Sequence, residues 1–346
     1  PTPAPTPAPT PKPAAPEFTL IYQSVYPPDP VGEEWSLKRH CIIGYARDVE
    51  KATEGRVKIK VYESHELVGI KESLDALAKG TLDLCFGADY WTGVIPETNF
   101  WWLPFVTKGE DHLLHLEHET EIGKIYEQAY EKHGVKVFQT IPVNLEGYMG
   151  NKETRCVADF KGQKIRVSST VWTNMYKRLG ISPVFMAGGE QYTALQRGTI
   201  DATIYPIHGI YTYKFYEVCK YLVLPGIVDP MACHGWVSLK TWNKLPPDIQ
   251  KIMLDTGKKY EAICSKDSKR LSDLSVSIAE KHGCTVIKWE RKDFEELKKA
   301  GLICWDEFAK LSPDCAKMVE ILKKDQAKWI ATSPKYKEWE ERWLKD

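Results

Sequence analysis

The chain has 346 residues, 47 basic and 47 acidic side chains, and a formal net charge of zero. That length carries two domains, each with its own core. No basic patch interleaves with aromatics, which argues against nucleic acid, and no long uncharged apolar run offers a spanning helix or a retained signal peptide.

Residues 1–16, PTPAPTPAPTPKPAAP, have little to bury and favour extended polyproline II. They read as a disordered spacer that holds a domain off a surface; a linker to a further domain is the alternative. A lipid-modified cysteine just upstream would complete the first reading, and the chain holds none there. Residues 17–22 form the first predicted strand. Residues 35–51 carry Ile42, Ala46 and Val49 on one helical face, with Gly55 as the stop. Val57, Ile59 and Val61 alternate with Arg56, Lys58 and Lys60, the pattern of a half-buried strand. Ile70, Leu74 and Leu77 mark a helix, and residues 82–86 the next strand. This βαβ order predicts a mainly parallel sheet with right-handed crossovers.

Residues 135–141 read as a strand that crosses to a second lobe, with Pro142 at its end. That lobe repeats the scheme: strand 164–167, helix 171–179 closed by Gly180, strand 183–186, helix 191–197, strand 199–205. A second crossing is expected near residues 222–228, and residues 247–282 read as one long helix along both lobes. Residues 293–346 predict further helices, where Trp329, Trp339 and Trp343 pack and cap. The two lobes share an explicit signature: ALAKGTLD at 76–83 returns as ALQRGTID at 194–201, an offset of 118 residues. Each copy is a helix end, a glycine stop and a buried strand. Two α/β lobes leave a cleft between them, the usual seat of a small ligand.

The fold class expected is therefore α/β and two-lobed. Each lobe is a mainly parallel sheet flanked by helices, joined by crossing strands and a long helix. The first lobe takes residues 17–141 and about 229–268, the second 142–228 and about 269–300, and residues 301–346 pack on both. Nine cysteines are an odd count with no CxxC; the nearest spacing is Cys304 to Cys315. Most sit in apolar runs and read as small buried hydrophobes. So many thiols fit a cytosolic protein or an exported protein of an anaerobe.

Residues 54–86, Pro96-Glu97 with Leu103-Pro104-Phe105, and residues 159–167 (DFKGQKIRV) resemble one family. So do residues 189–201 (GEQYTALQRGTID), 214–218 (KFYEV) and 242–246 (WNKLP). The family is that of the substrate-binding proteins of tripartite ATP-independent periplasmic (TRAP) transporters, the dicarboxylate-binding-protein-like (DctP) family, and the likeness covers roughly residues 18–310. It implies a periplasmic-binding-protein-like fold, one carboxylate ligand in the cleft, closure on binding, and delivery to the membrane permease subunits of an ion-gradient-driven transporter. It implies no catalysis and no cofactor. It places a monomer at the outer face of the cytoplasmic membrane, tethered through the spacer.

Arg166 is the leading candidate, because the family's arginine at this motif position fixes the ligand carboxylate. A guanidinium does so through two parallel hydrogen bonds that lysine cannot make. Ser168, Ser169 and Thr170 donate to ligand oxygens or cap the following helix. The sequence departs from the family at Ile204-Tyr205-Pro206, where Glu-Asn-Pro is common. Tyr205 then offers a ring and a hydroxyl in place of the asparagine, and Ile204 cannot hold a metal-bridged ligand. Gly188 replaces a phenylalanine and opens the cleft. The family's second arginine is missing near Asn144, Glu146 and Gly147, which disfavours a compact C4 dicarboxylate against a larger or aromatic acid. Glu146 holds an amine or a hydroxyl, or pairs with a lysine at the rim.

In the first lobe, Tyr90 and Trp91 follow a strand end and are expected to sandwich a ligand body. Glu66, Tyr26 and Trp236 complete the expected cleft lining, while Trp101 and Trp102 read as core. A ligand-binding sensor domain is an alternative the residues leave open. A two-lobed enzyme is a weaker one, since His65, His208 and Cys233-His234 show no meaningful nucleophile–base spacing.

Overall fold

The computed structural model describes residues 15–24, 39–63, 66–167, 170–186 and 188–344. The spacer reading for residues 1–14, most of the first helix's approach at 25–38, and the sites proposed at Tyr26, Ser168 and Ser169 lie outside the described residues.

Eleven strands are described: β1 (Phe18–Ser24), β2 (Val57–Tyr62), β3 (Leu84–Gly87), β4 (Val135–Val143), β5 (Glu146–Gly150), β6 (Lys164–Val167), β7 (Ser182–Phe185), β8 (Ala202–Pro206), β9 (Tyr221–Leu224), β10 (Met231–Ser238) and β11 (Thr285–Lys288). They form two sheets, of order β2-β1-β3-β10-β4 and β11-β9-β5-β8-β6-β7. The parallel pairs are β1 with β2 and β3, β6 with β7 and β8, and β9 with β11. The antiparallel pairs come from the crossings. β10 runs against β3 and β4, and β5 against β8 and β9, because each returns the chain from the other sheet.

The helices are α1 (Tyr45–Ala52), α2 (Ser73–Lys79), α3 (Glu110–His118), α4 (Glu121–Glu131), α5 (Thr170–Arg178), α6 (Gln191–Gln196), α7 (Gly209–Thr212), α8 (Leu239–Trp242), α9 (Pro247–Lys281), α10 (Arg291–Phe308), α11 (Pro313–Thr332) and α12 (Pro334–Trp343). α9 has 35 residues, about 52 Å at the helical rise. It packs on β4 and α1 of the first sheet's lobe and on α7 and β11 of the second's. No helix among the described residues is long and apolar enough to cross a membrane.

The repeated octet has a shared physical reason. Gly80 and Gly198 end α2 and α6 with φ of 73° and 67°, a region that disfavours a side chain. Leu82 and Ile200 then enter the cores, 1% and 0% exposed. The closing aspartates tie down the neighbouring strand: Asp83 accepts from the Ile21 N–H at 2.8 Å, and Asp201 from the Lys164 N–H at 2.7 Å. Because the turn takes 199–201, β8 begins at Ala202, later than the apolar run predicts.

The chain passes between the sheets three times, by two short crossings and, from β10 to β11, along α8 and α9. β4 passes to β5 through Asn144 and Leu145 only, and β9 passes to β10 through residues 225–230. β4 extends through Pro142 to Val143, since it is the edge strand of its sheet and needs no ladder donor there. Both short crossings lie beside Glu146, whose N–H donates to Val228 O at 2.9 Å while its own carbonyl accepts from Ile227 N at 3.2 Å.

Candidate functional site

Arg166 sits in β6, in register with Thr203 of β8 and Val184 of β7, inside the second sheet. Lys164, two residues earlier, stays exposed, whereas Arg166 is 5% exposed. Its Nε donates to Met186 O at 3.3 Å and its Nη1 to Ile204 O at 3.4 Å, both long bonds. The guanidinium lies 5.5 Å from the centroid of the Tyr205 ring. No carboxylate pairs with it among the described residues. A buried cation without an anion is costly, so this geometry leaves a place for a ligand's negative charge.

Tyr205 stands on β8 with its ring perpendicular to Tyr213 at 5.6 Å, and Tyr213 stacks on Phe215 at 5.4 Å. Burial pushes the Tyr205 phenol well above its usual range, Tyr213 adds to the rise, and Arg166 opposes it. Gly188 closes up against this pair: a Cβ on it would lie in van der Waals contact, 3.7 Å from the hydroxyls of both Tyr205 and Tyr213.

Glu146 opens β5 opposite Pro206 and is 3% exposed. Its Oε2 has no hydrogen-bond partner. Burial pushes its carboxyl up to about 8, with the charge of Arg166 drawing it back. Asn144, on the crossing just before it, is wholly buried, with Oδ1 2.8 Å from His208 Nδ1 and Nδ2 unpaired. Tyr176 on α5 is fully buried with an unpaired hydroxyl, and its phenol is raised by burial and by Glu146 and lowered by Arg166. From the first lobe, Tyr90 comes off the end of β3 toward this group. Its phenol is raised by burial, then lowered by Arg166 and raised by Cys233, Tyr213 and Glu146. Arg166 and Glu146 are thus the charged members of a buried group between the lobes, with tyrosines around them, and this group is the candidate ligand chamber.

Of the residues expected from sequence, the structure gathers Arg166, Tyr205, Glu146, Asn144 and Tyr90. It does not gather three others. Trp91 and Trp236 face each other at 4.8 Å in the first lobe's core, Trp91 also touching Tyr130 and donating to Ile70 O at 3.2 Å. Their rings meet edge to face, and both are packed in the core, 4% and 0% exposed, rather than presented as a stacking platform. The reason is sheet alternation: Trp236 on β10 points toward Tyr130 of α4. Glu66 is exposed and borders a separate groove with Ala46, Arg47 and Glu50 of α1. Trp101 and Trp102 are core, 0% and 3% exposed.

Sequence reasoning missed Tyr176 and Tyr213, and weighed His208 only as a catalytic residue. Trp172 and Tyr176, four apart on α5, are both fully buried, so the helical period signalled an inward face. Nothing local signalled Tyr213, which reaches the site through the turn after α7. Cys233 and His234 point to opposite faces of β10: Cys233 acts on Tyr90, while His234 Nδ1 lies 2.9 Å from Tyr126 Oη in the core. Among the described residues no group of three or more His, Cys, Asp or Glu is arranged to hold a metal.

Residues 42–311 match the family described as bacterial extracellular solute-binding protein, family 7 (DctP). The sialic acid-binding periplasmic protein SiaP of Vibrio cholerae is 28% identical over 72% of this chain and 78% of its own. An uncharacterized protein of Haemophilus influenzae is 29% identical over 60% of this chain and 64% of its own, so the chain spans under two thirds of that relative. Among solved structures, a TRAP periplasmic solute-binding protein from Desulfovibrio salexigens with bound orotic acid superposes with a TM-score of 0.81 at 22% identity. That match covers 90% of this chain and 99% of the other.

Proposed function

The chain belongs to the bacterial extracellular solute-binding protein family 7 of TRAP transporters, whose members bind solutes and do not transform them, and on that premise we propose that it captures an organic acid between its lobes and hands it to a membrane permease. One observation carries the choice of an acid: Arg166 is buried, makes only two long bonds to carbonyls, and has no carboxylate partner among the described residues. The guanidinium fork supplies the donors for a ligand carboxylate, and among the described residues its Nη groups make one long bond, from Nη1 to Ile204 O. Sialic acid and orotic acid, named for two relatives, are both acids.

Binding closes the lobes by rotation about the two crossings, which are short and lie beside the chamber. The Pro/Ala/Thr composition of residues 1–16 suits a spacer to the membrane surface. The test is a thermal-shift screen of organic acids on the native protein and on Arg166→Gln, because a ligand bound only to the folded state raises the melting midpoint. The expected result is a hit on the native protein that the variant loses. A set of acids that shifts both proteins equally overturns the role of Arg166.

A further inference from the structure

We propose that the ligand is a zwitterion of the amino-acid type, its carboxylate on Arg166 and its ammonium on Glu146, enclosed by tyrosine rings. This rests on the organic-acid reading above and narrows it.

The observations concern charge balance in a closed space. Glu146 is 3% exposed, its Oε2 has no partner, and no cation pairs with it within salt-bridge distance among the described residues. A buried carboxyl in that position is costly unless something completes it. Arg166 acts on it through space but is spoken for by the ligand carboxylate. A dicarboxylate would hold Glu146 in its protonated form and leave the second carboxylate with neutral donors alone, since Arg166 is the only arginine of the group among the described residues. A ligand with one carboxylate and one donor leaves every buried charge matched: guanidinium with carboxylate, ammonium with Glu146.

The walls decide between an ammonium and a neutral hydroxyl. Tyr90, Tyr176 and Tyr205 all lie near Glu146 or Arg166. Tyrosine faces attract cations, as the seat of Arg166 over Tyr205 at 5.5 Å already shows. The unpaired Tyr176 hydroxyl accepts from an ammonium, and the unpaired Nδ2 of Asn144 donates to a ligand oxygen. Arg166 on β6, Tyr176 on α5 and Tyr90 after β3 interact with the Glu146 carboxyl, and the titratable His208 stands beside it, 2.8 Å from Asn144 Oδ1. Burial holds the carboxyl at about 8, so an ammonium placed against it drives it to ionise and release a proton.

The experiment compares acids that differ at one atom. Calorimetry is run at pH 7 on the native protein, Glu146→Gln and Arg166→Gln, with methyl, isobutyl and benzyl side chains each presented three ways. These are the 2-amino acids (alanine, leucine, phenylalanine), the matching 2-hydroxy acids, and the matching substituted malonates. The amino acid of the preferred size is expected to bind the native protein best. Glu146→Gln should lose it by at least about 30-fold, the scale of breaking one buried charge pair, and leave the hydroxy acid within about 3-fold. Titration in buffers of different ionisation enthalpy should show release of most of one proton for the amino acid and none for the hydroxy acid, a readout that needs no variant.

Preference for a hydroxy acid or a malonate, or amino-acid binding that Glu146→Gln leaves intact, overturns the zwitterion. If Arg166→Gln abolishes those same ligands, the organic-acid reading stands and only this inference falls. If none of the nine binds while the broad acid screen finds an Arg166-dependent ligand, the inference again falls alone. If the broad screen also fails, both fall.

Discussion

Gly226 lies so close against Glu146 that a Cβ on it would meet the Glu146 carbonyl oxygen at 1.5 Å. The two residues belong to different chain crossings, Gly226 between β9 and β10 and Glu146 just after β4 has passed to β5. Hydrogen bonds between Glu146 and the Ile227–Val228 backbone, at 3.2 and 2.9 Å, lock the same pair of segments. The hinge and one wall of the ligand chamber are therefore a single packed unit. Under the proposed closure, a ligand that pulls on Glu146 would pull on the segments about which the lobes turn.

Gly226→Ala is expected to cost stability and binding together. No flexible side chain stands in the way; the obstacle is backbone, so one crossing must move. Overpacking of this kind costs about 1–3 kcal/mol or more. Urea unfolding should show the lower midpoint, and calorimetry on the folded fraction should show weakened ligand affinity. Native affinity in a destabilised Gly226→Ala protein would show that the crossings and the chamber are not coupled.

The fold was legible because its signals are local and repeated. Gly80 and Gly198 mark the same helix stop, and Asp83 and Asp201 the same strand tie. Arg166 was legible through its motif. The walls were harder to read, because they are assembled by tertiary contact. Trp91 looked like a platform from its place after a strand, yet Trp236 fills the space beside it. Tyr213 sits in a turn with no pattern of its own, and only the return of the chain past β8 brings it against Tyr205. Glu146 stood out as an absent arginine, but sequence offers no measure of burial, and burial is what turns it from a rim charge into a chamber wall.

Arg166→Ala should weaken binding about 30- to 4,000-fold, the range for truncating one side of a buried, hydrogen-bonded charge pair. Arg166→Lys should recover little of this, since an ammonium cannot reproduce the two-pronged geometry. Amide analogues of the ligand should bind the native protein poorly yet lose little further against Arg166→Ala. Losses that simply add across this cycle, measured by calorimetry, would place the carboxylate elsewhere.

Stability should fall as pH rises through the range that Glu146 spans. Its folded carboxyl stands at about 8 against an ordinary value of 4.5, so between those limits the folded state holds a proton that the unfolded chain has lost. That sign makes unfolding easier with rising pH. Glu117 and Asp229, each pushed to about 7 by burial, act in the same direction. Lys108, lowered to about 7 by burial, acts oppositely, but only above that pH. Glu146→Gln removes one contribution, on the order of a few kcal/mol by the usual conversion of pKa to free energy. Its melting midpoint should therefore decline less than the native protein's between pH 5 and 8 (about the interval between the two carboxyl values). Parallel curves for the two proteins would mean that Glu146 is ionised in the fold.

Cys41 and Cys264 place their sulfurs 2.8 Å apart, 223 residues apart in sequence and both wholly buried. Burial, and then the contact with Cys264, holds the Cys41 thiol well above its usual range, so in the folded state Cys41 is not a ready nucleophile, and Cys264 is shut away from solvent beside it. Oxidation is thus expected during folding, before the pair is sealed between α9 and the turn preceding α1. Refolding from urea with oxidised glutathione should form a Cys41–Cys264 disulfide, two thiols losing two protons and two electrons as one oxidised glutathione becomes two reduced ones. Thiol titration in denaturant should fall from nine, the full cysteine count, by two, and a non-reducing peptide map should show this pair. A link closing so long a loop typically adds about 2–4 kcal/mol, which reducing agent should remove and Cys41→Ser should lack. Nine titratable thiols after oxidative refolding, or a disulfide between other cysteines, would rule this cross-link out.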